Sequence, residues 1–316
     1  METEKPKIAL YVKRSFGEKF NASFDFIKEN WKLMLKYATY LLLPLCLVQA
    51  LSLNGLMTYT LGMSGLMESG VMYSDSTLLM SFFSYYGLYM LLLIIGIVLL
   101  TALVYAMIRT YNEREERLRG VTLGMLRPML LHNVKRMFIL VFFGLVLMLL
   151  ASLIIGVIAA LFPVTLFPIV IILSTPFMIA VAVPFSLWAP IYLLEDISIM
   201  SSLKKTFRLG FTTWGGIFMI SFVMGFIAGI LQGVTLIPWY IGTAVKYIFM
   251  TSSGGTEATV SVGYSFLLYL LAIVQVFGAY LAMIFSFVGL AYQYGHASEK
   301  VDSIMVESDI DNFDKL

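Results

Sequence analysis

Charge is what this sequence has least of. Of its 316 residues, 13% are Asp, Glu, Lys or Arg and 60% are hydrophobic, and the mean hydropathy is +0.90, a balance that excludes an ordinary soluble globular domain. Cysteine occurs once, as Cys46, so an intramolecular disulfide is excluded; lying in an apolar run, it reads as a small buried hydrophobe. Histidine occurs twice, as His132 and His296, without HExxH spacing, a cysteine partner or a paired acid, so no metal site and no cofactor is expected. The first thirty residues mix charges with scattered aromatics and hold no continuous apolar stretch, which makes the first long apolar run the expected insertion signal.

Long apolar runs are what the sequence has instead. Six of them contain no charged residue and no histidine: Tyr37 to Met57, Leu79 to Ile108, Met137 to Phe162, Val164 to Leu194, Trp214 to Trp239, and Phe266 to Tyr292. Each can cross a hydrocarbon core of about 30 Å, which takes about 20 helical residues. The expected fold class is all-α: a polytopic transmembrane helical bundle of six spans, forming one membrane domain over residues 1–294. The remainder, 295–316, carries six acids from Ser298 onward with few large apolar residues, so it is expected to be a disordered acidic tail. Basic residues are one-sided: twenty of the twenty-one lie before the first span, between the second and third, between the fourth and fifth, or after the sixth, with Lys246 alone on the other side. That asymmetry predicts both termini in the cytoplasm.

Two stretches echo each other. Gly156 to Pro168 aligns with Gly225 to Pro238, with one gap opposite Gly233 and seven identities in thirteen pairs. Phe185 and Ser186 likewise match Phe285 and Ser286, and Tyr192 and Ser198 match Tyr292 and Ser298. The matches at Gly, Thr, Pro, Ser and Tyr point to an internal repeat, in which the spans form three hairpins of the same orientation.

Each hairpin is preceded by an amphipathic segment. Phe16, Phe20, Phe24, Ile27 and Trp31 fall on one helical face, and Ser15 with Glu18 forms a capping box at its start. Met200, Leu203, Phe207, Phe211 and Trp214 form a second stripe, flanked by Lys204, Lys205 and Arg208. The segment from Val121 to Arg136 is similar but holds Pro128, which should start or kink its helix. Such feet bind anionic lipid or a partner through aromatic and basic residues, or simply orient the hairpins.

From Pro190 to Phe218 the sequence resembles an element of a bacterial polytopic membrane-domain family. This family comprises the membrane domain attached to some glycerophosphodiester phosphodiesterases and its stand-alone relatives. The positions that carry the resemblance are Pro190, Glu195, Leu203, Lys204, Lys205, Gly210 and Trp214. The catalytic barrel of those phosphodiesterases is absent, so the resemblance implies no phosphodiesterase activity. It implies a helical domain of the bacterial inner membrane concerned with the envelope or its lipids.

No ionisable residue lies within the six span cores, where proton relays and catalytic centres of membrane proteins place theirs. Glu195 and Asp196, side by side before a basic segment, read as helix-terminal acids, with an ion pair from Glu195 to Arg208 or Lys205 as the sharper form. Gly225, Gly229 and Gly233 make two GxxxG steps that let a neighbouring helix approach closely or a lipid tail lie along the groove. Pro168, Pro176, Pro184 and Pro190 fall in the fourth span, which is either an ordinary bent helix or a hinge. Met57, Met63, Met67 and Met72 read as flexible packing near the outer surface rather than a soft-metal site. The function expected is non-catalytic: an envelope or lipid-associated organiser or complex subunit. A carrier for a lipid-like or hydrophobic compound is the alternative, favoured by a polar cavity reaching Gln49, Gln232 or Gln275. Expected partners are membrane lipids and either other membrane subunits or further copies of the chain, with no nucleic acid.

Overall fold

The computed structural model describes residues 6–69, 76–160, 163, 167–252 and 261–304. Among them there is no strand; the elements are α1 (Phe16–Ser69), α2 (Ser76–Glu113), α3 (Leu123–Ala160), α4 (Phe167–Phe185), α5 (Trp188–Leu194), α6 (Ile199–Thr212), α7 (Trp214–Ser252) and α8 (Val262–Val301). Six stretches are long and apolar enough to cross a membrane: Phe16–Thr60, Leu79–Glu113, Leu123–Val157, Ile172–Leu194, Trp214–Phe249 and Val262–Val301.

The helices differ from the sequence-based boundaries in consistent ways. The first two amphipathic segments are not separate feet: they are the opening turns of α1 and α3, and Pro128 lies inside α3 rather than starting it. Only the third is a helix of its own, α6, parted from α7 by Thr213. Pro238 does not end a span; α7 runs through it to Ser252, and α1 runs on past Met57 to Ser69. The expected tail also begins later than residue 295, because α8 continues to Val301 with Ala297 and Ser298 fully buried. Residues 161–162 and 164–166 of the first echo, Met72, and the rest of the tail, 305–316, lie outside the described residues.

The proline-rich span does break, at Ser186 and Leu187 between α4 and α5. Pro184 lacks the amide proton that would bond the Ala180 carbonyl, and the Trp214 indole N–H takes that carbonyl at 3.0 Å. Ser186 Oγ donates to the Val183 carbonyl at 2.7 Å, and the Leu187 amide bonds the Pro184 carbonyl at 3.0 Å. A Cβ on Gly210 would strike the Pro184 ring and backbone, so glycine there lets α6 lie directly against α4. Gly210 and Trp214 thus both serve this break.

The chain forms two compact units. The first comprises residues 1–31, 101–224 and 285–316. Its core includes Leu187, Ile191, Leu209, Ile217, Tyr294 and Ala297. The second comprises residues 32–100 and 225–284, with Ala50, Trp239 and Ala272 at a core joined by Leu53, Leu236 and Tyr269. In this second unit polar side chains are matched between helices: Trp239 Nε1 donates to Asn54 Oδ1 at 2.9 Å and the Tyr280 hydroxyl to Gln49 Oε1 at 2.8 Å. Gly96 makes room for the Tyr280 ring, into which any Cβ at that position would run.

Candidate functional site

The polar chemistry of the molecule gathers in the first unit, and three helix starts build it. Ser15, Thr122 and Ser198 precede α1, α3 and α6, and each side-chain oxygen accepts a backbone N–H three residues on, at 3.4, 3.4 and 3.2 Å. Ser15 completes the expected capping box, its own amide donating to Glu18 Oε2 at 2.7 Å. Counted from these caps, the three helices bury the same positions. The fourth residue on is Lys19, Leu126 or Ser202; the eighth is Ser23, Leu130 or Thr206; the eleventh is Phe26, Asn133 or Leu209; the fifteenth is Asn30, Met137 or Thr213. These offsets trace one face of an α-helix.

Each buried face meets the end of another element. On α3, Asn133 Nδ2 donates to the Ala102 carbonyl of α2 at 3.2 Å. On α6, Ser202 Oγ accepts from Trp188 Nε1 of α5 at 2.9 Å, and Phe207 meets Phe185 edge-on with ring centroids 5.0 Å apart. On α1, Lys19 Nζ donates to Gln293 Oε1 of α8 at 2.7 Å, and Phe24 lies 5.7 Å from Phe285. Phe185 and Phe285 each meet a phenylalanine, edge-on in the first case and tilted in the second.

Most of the expected stripe residues lie beside these faces, although Ile27 of the first stripe is buried. Phe16 and Trp31 are exposed, at 39% and 44%, with Phe20 and Phe24 half-buried between. On α6, Met200 and Phe211 are exposed, Leu203, Phe207 and Trp214 are half-buried, and Lys204 projects outward. Serines, threonines, an asparagine and a lysine share the interior with Phe26, Ile27 and Leu209. Gly225, Gly229 and Gly233 are open too: a Cβ at any of them would meet nothing within 4 Å, so among the described residues no helix packs into the stripe.

Two adjacent carboxylates tie the elements together by pointing to different partners. Asp196 has φ of 52°, a left-handed conformation that aspartate tolerates better than most residues, and it turns the chain between α5 and α6. Asp196 bonds Arg109 of α2 at 2.5 Å and His132 of α3 at 2.9 Å. Glu195 pairs with Lys205 at 2.7 Å and accepts a short hydrogen bond from the Tyr294 hydroxyl. The expected Glu195 to Arg208 pair is not formed; Arg208 bonds Asp302 at 2.7 Å, and Lys205 bonds Asp302 as well at 2.9 Å. Lys205 is the inner of the two cations and reaches the acids first. Burial works against the charge on Lys205, but the bonds to Glu195 and Asp302 outweigh it and raise its pKa. Arg136 closes the end of α5, donating to the Tyr192 and Ile197 carbonyls at 3.0 and 2.6 Å while its guanidinium lies 3.8 Å from the Tyr192 ring centroid.

Sequence reasoning missed Lys19, Asn133, Gln293, His296 and Asp302. The signal was there for α1, where Lys19, Ser23 and Asn30 repeat on one face beside the phenylalanines, but apolar spacing drew the eye to the neighbouring stripe. No family model, curated protein or solved structure matches the chain.

Proposed function

We propose that this chain is a non-catalytic integral membrane protein of the bacterial inner membrane, both termini cytoplasmic, that organises anionic lipid around itself or around a membrane complex. The observation that carries the reading is the two-sided character of α1 and α6. Their polar residues face the protein interior, while Phe16, Trp31, Met200 and Phe211 face outward beside the exposed Lys28, Lys32, Lys204 and Arg208. Aromatics at headgroup depth with adjacent cations suit the surface of an anionic leaflet. The described acids Glu195, Asp196 and Asp302 are held in ion pairs, which suits a scaffold better than acid–base chemistry. The resemblance over Pro190 to Phe218 points to the same setting.

The test is lipid retention. Released from nanodiscs of mixed phosphatidylethanolamine and phosphatidylglycerol into a mass spectrometer, the protein is expected to carry phosphatidylglycerol in excess. Lys204→Glu combined with Phe211→Ser is expected to lose the excess. Retention in proportion to the bulk mixture overturns the reading. A carrier is the second reading, favoured by Gln49 Nε2 and Gln275 Oε1, buried atoms without a hydrogen-bond partner among the described residues. Transbilayer movement of a fluorescent phospholipid in proteoliposomes would establish it in place of the first.

A further inference from the structure

We propose that the start of α1 and the last turns of α8 form a binding site for an oxyanion of the phosphate class. The proposal goes beyond the organiser reading and does not rest on it, since it stands on charges inside the first unit rather than on the outer aromatic faces.

Gln293, His296 and Lys300 are three, four and seven residues apart and share one face of α8. Arg14 and Lys19 meet this face from α1 and the segment before it. The His296 Nδ1 accepts the Arg14 amide at 3.0 Å, which leaves the ring proton on Nε2 as a further donor. Lys19 is 4% exposed and Gln293 0%. Of the three protons on Lys19 Nζ, the bond to Gln293 Oε1 uses one, and Gln293 Nε2 has no partner among the described residues. Both nitrogens converge beside Gly216 of α7: a Cβ there would stand 3.2 Å from Nζ and 3.1 Å from Nε2, a tight contact.

Arg14 gives its guanidinium to the Ala9 and Leu10 carbonyls, Lys19 to an amide, and neither they nor Lys300 enter an ion pair among the described residues. Two nearby acids are engaged elsewhere: Glu18 folds back on the Ser15 amide, and Asp302 is held by Lys205 and Arg208. A buried ammonium with only an amide for company is strongly unfavourable unless an anion joins it. Lys19, Gln293 and His296 offer free donors, and two further cations, Arg14 and Lys300, lie beside them. Phosphate, with about −1.5 to −2 charge and three acceptor oxygens in its esters, meets that set better than a carboxylate or chloride. Lys300 is exposed and His296 half-buried, at the rim of the buried pair Lys19 and Gln293.

Free phosphate and a lipid phosphodiester both offer phosphoryl oxygens, the diester at lower charge, and the test separates them. The full chain in a neutral detergent is titrated with inorganic phosphate, with short-chain phosphatidylglycerol, and with chloride at matched ionic strength. Thermal unfolding and calorimetry are read together. Phosphate or phosphatidylglycerol is expected to raise the unfolding midpoint with single-site saturation, chloride not. Lys19→Met is expected to weaken binding by about tenfold or more, while leaving the midpoint without ligand unchanged or higher because the removed charge had no partner. Lys300→Gln, at the exposed rim, keeps the fold and is expected to weaken binding about threefold. Saturation by phosphate identifies a free oxyanion as sufficient; saturation by phosphatidylglycerol alone identifies a headgroup; either supports the site. An equal shift with chloride, no shift in the parent protein, or unaltered affinity in Lys300→Gln overturns it.

Discussion

Asp196 shows how one residue holds three elements, because its oxygens reach α2 and α3 while its own backbone turns the chain from α5 into α6. Burial alone would push its carboxyl pKa up, but the bonds from Arg109 and His132 outweigh burial and hold it below the ordinary aspartate value of 3.8. A lowered folded-state value means stability that is present above the unfolded value and lost as pH falls through the folded one. Asp196→Asn is therefore expected to lower the unfolding midpoint at neutral pH, and the gap to the parent is expected to close in acid below pH 3.8, as the parent loses the charge that the variant lacks. Thermal unfolding in detergent across that range checks it, and a gap independent of pH would mean that Asp196 acts through shape alone. Its partner set was not legible beforehand, since Arg109 and His132 stand 87 and 64 residues away and nothing local announces them.

At the scale of the helix, small residues divide by what faces them. Gly229 on α7 has open space where a side chain would go, and Gly96 on α2 has the Tyr280 ring. Gly229→Leu is expected to leave the unfolding midpoint unchanged, whereas Gly96→Leu is expected to cost about 1 to 3 kcal/mol or more through overpacking. Denaturant titration of the two variants side by side measures the contrast. Their spacing alone could not separate them, because a GxxxG step reads the same whether a helix, a lipid tail or nothing lies against it. The capped starts of α1, α3 and α6 tell the same story from the polar side. Ser15 and Glu18 were legible as a cap because both partners sit within one turn. The buried face was misjudged, because apolar periodicity marks the inner face only where water surrounds the helix. A protein read as lying in lipid gives Phe16 and Phe211 little to lose by facing out, and Ser202 gains by facing in, where the Trp188 indole meets it.

For the molecule as a whole, the distribution of cations predicts orientation, and exposed positions now give a clean test of it. In a background with the buried Cys46 replaced by alanine, Ser261→Cys is expected to react with an impermeant thiol reagent in intact cells, and Lys300→Cys only after the membrane is opened. Ser298, an attractive position by sequence, would mislead, because its side chain is fully buried and would resist the reagent on either side. Labelling of Lys300→Cys in intact cells would reverse the orientation and place the oxyanion site on the outer face.

Composition and periodicity alone determined the all-helical class, the six apolar stretches and the cap at Ser15, because each depends on residues within a few turns of one another. The tertiary structure decided which face of each capped helix is buried, that Glu195 pairs with Lys205 while Arg208 goes to Asp302, and that Lys19 sits with Gln293 rather than with an acid. These depend on which helix ends meet. For a charge the energetic outcome is set by the partner it finds at about 3 Å, and residues 274 positions apart in the chain carry no local sign that they will be neighbours.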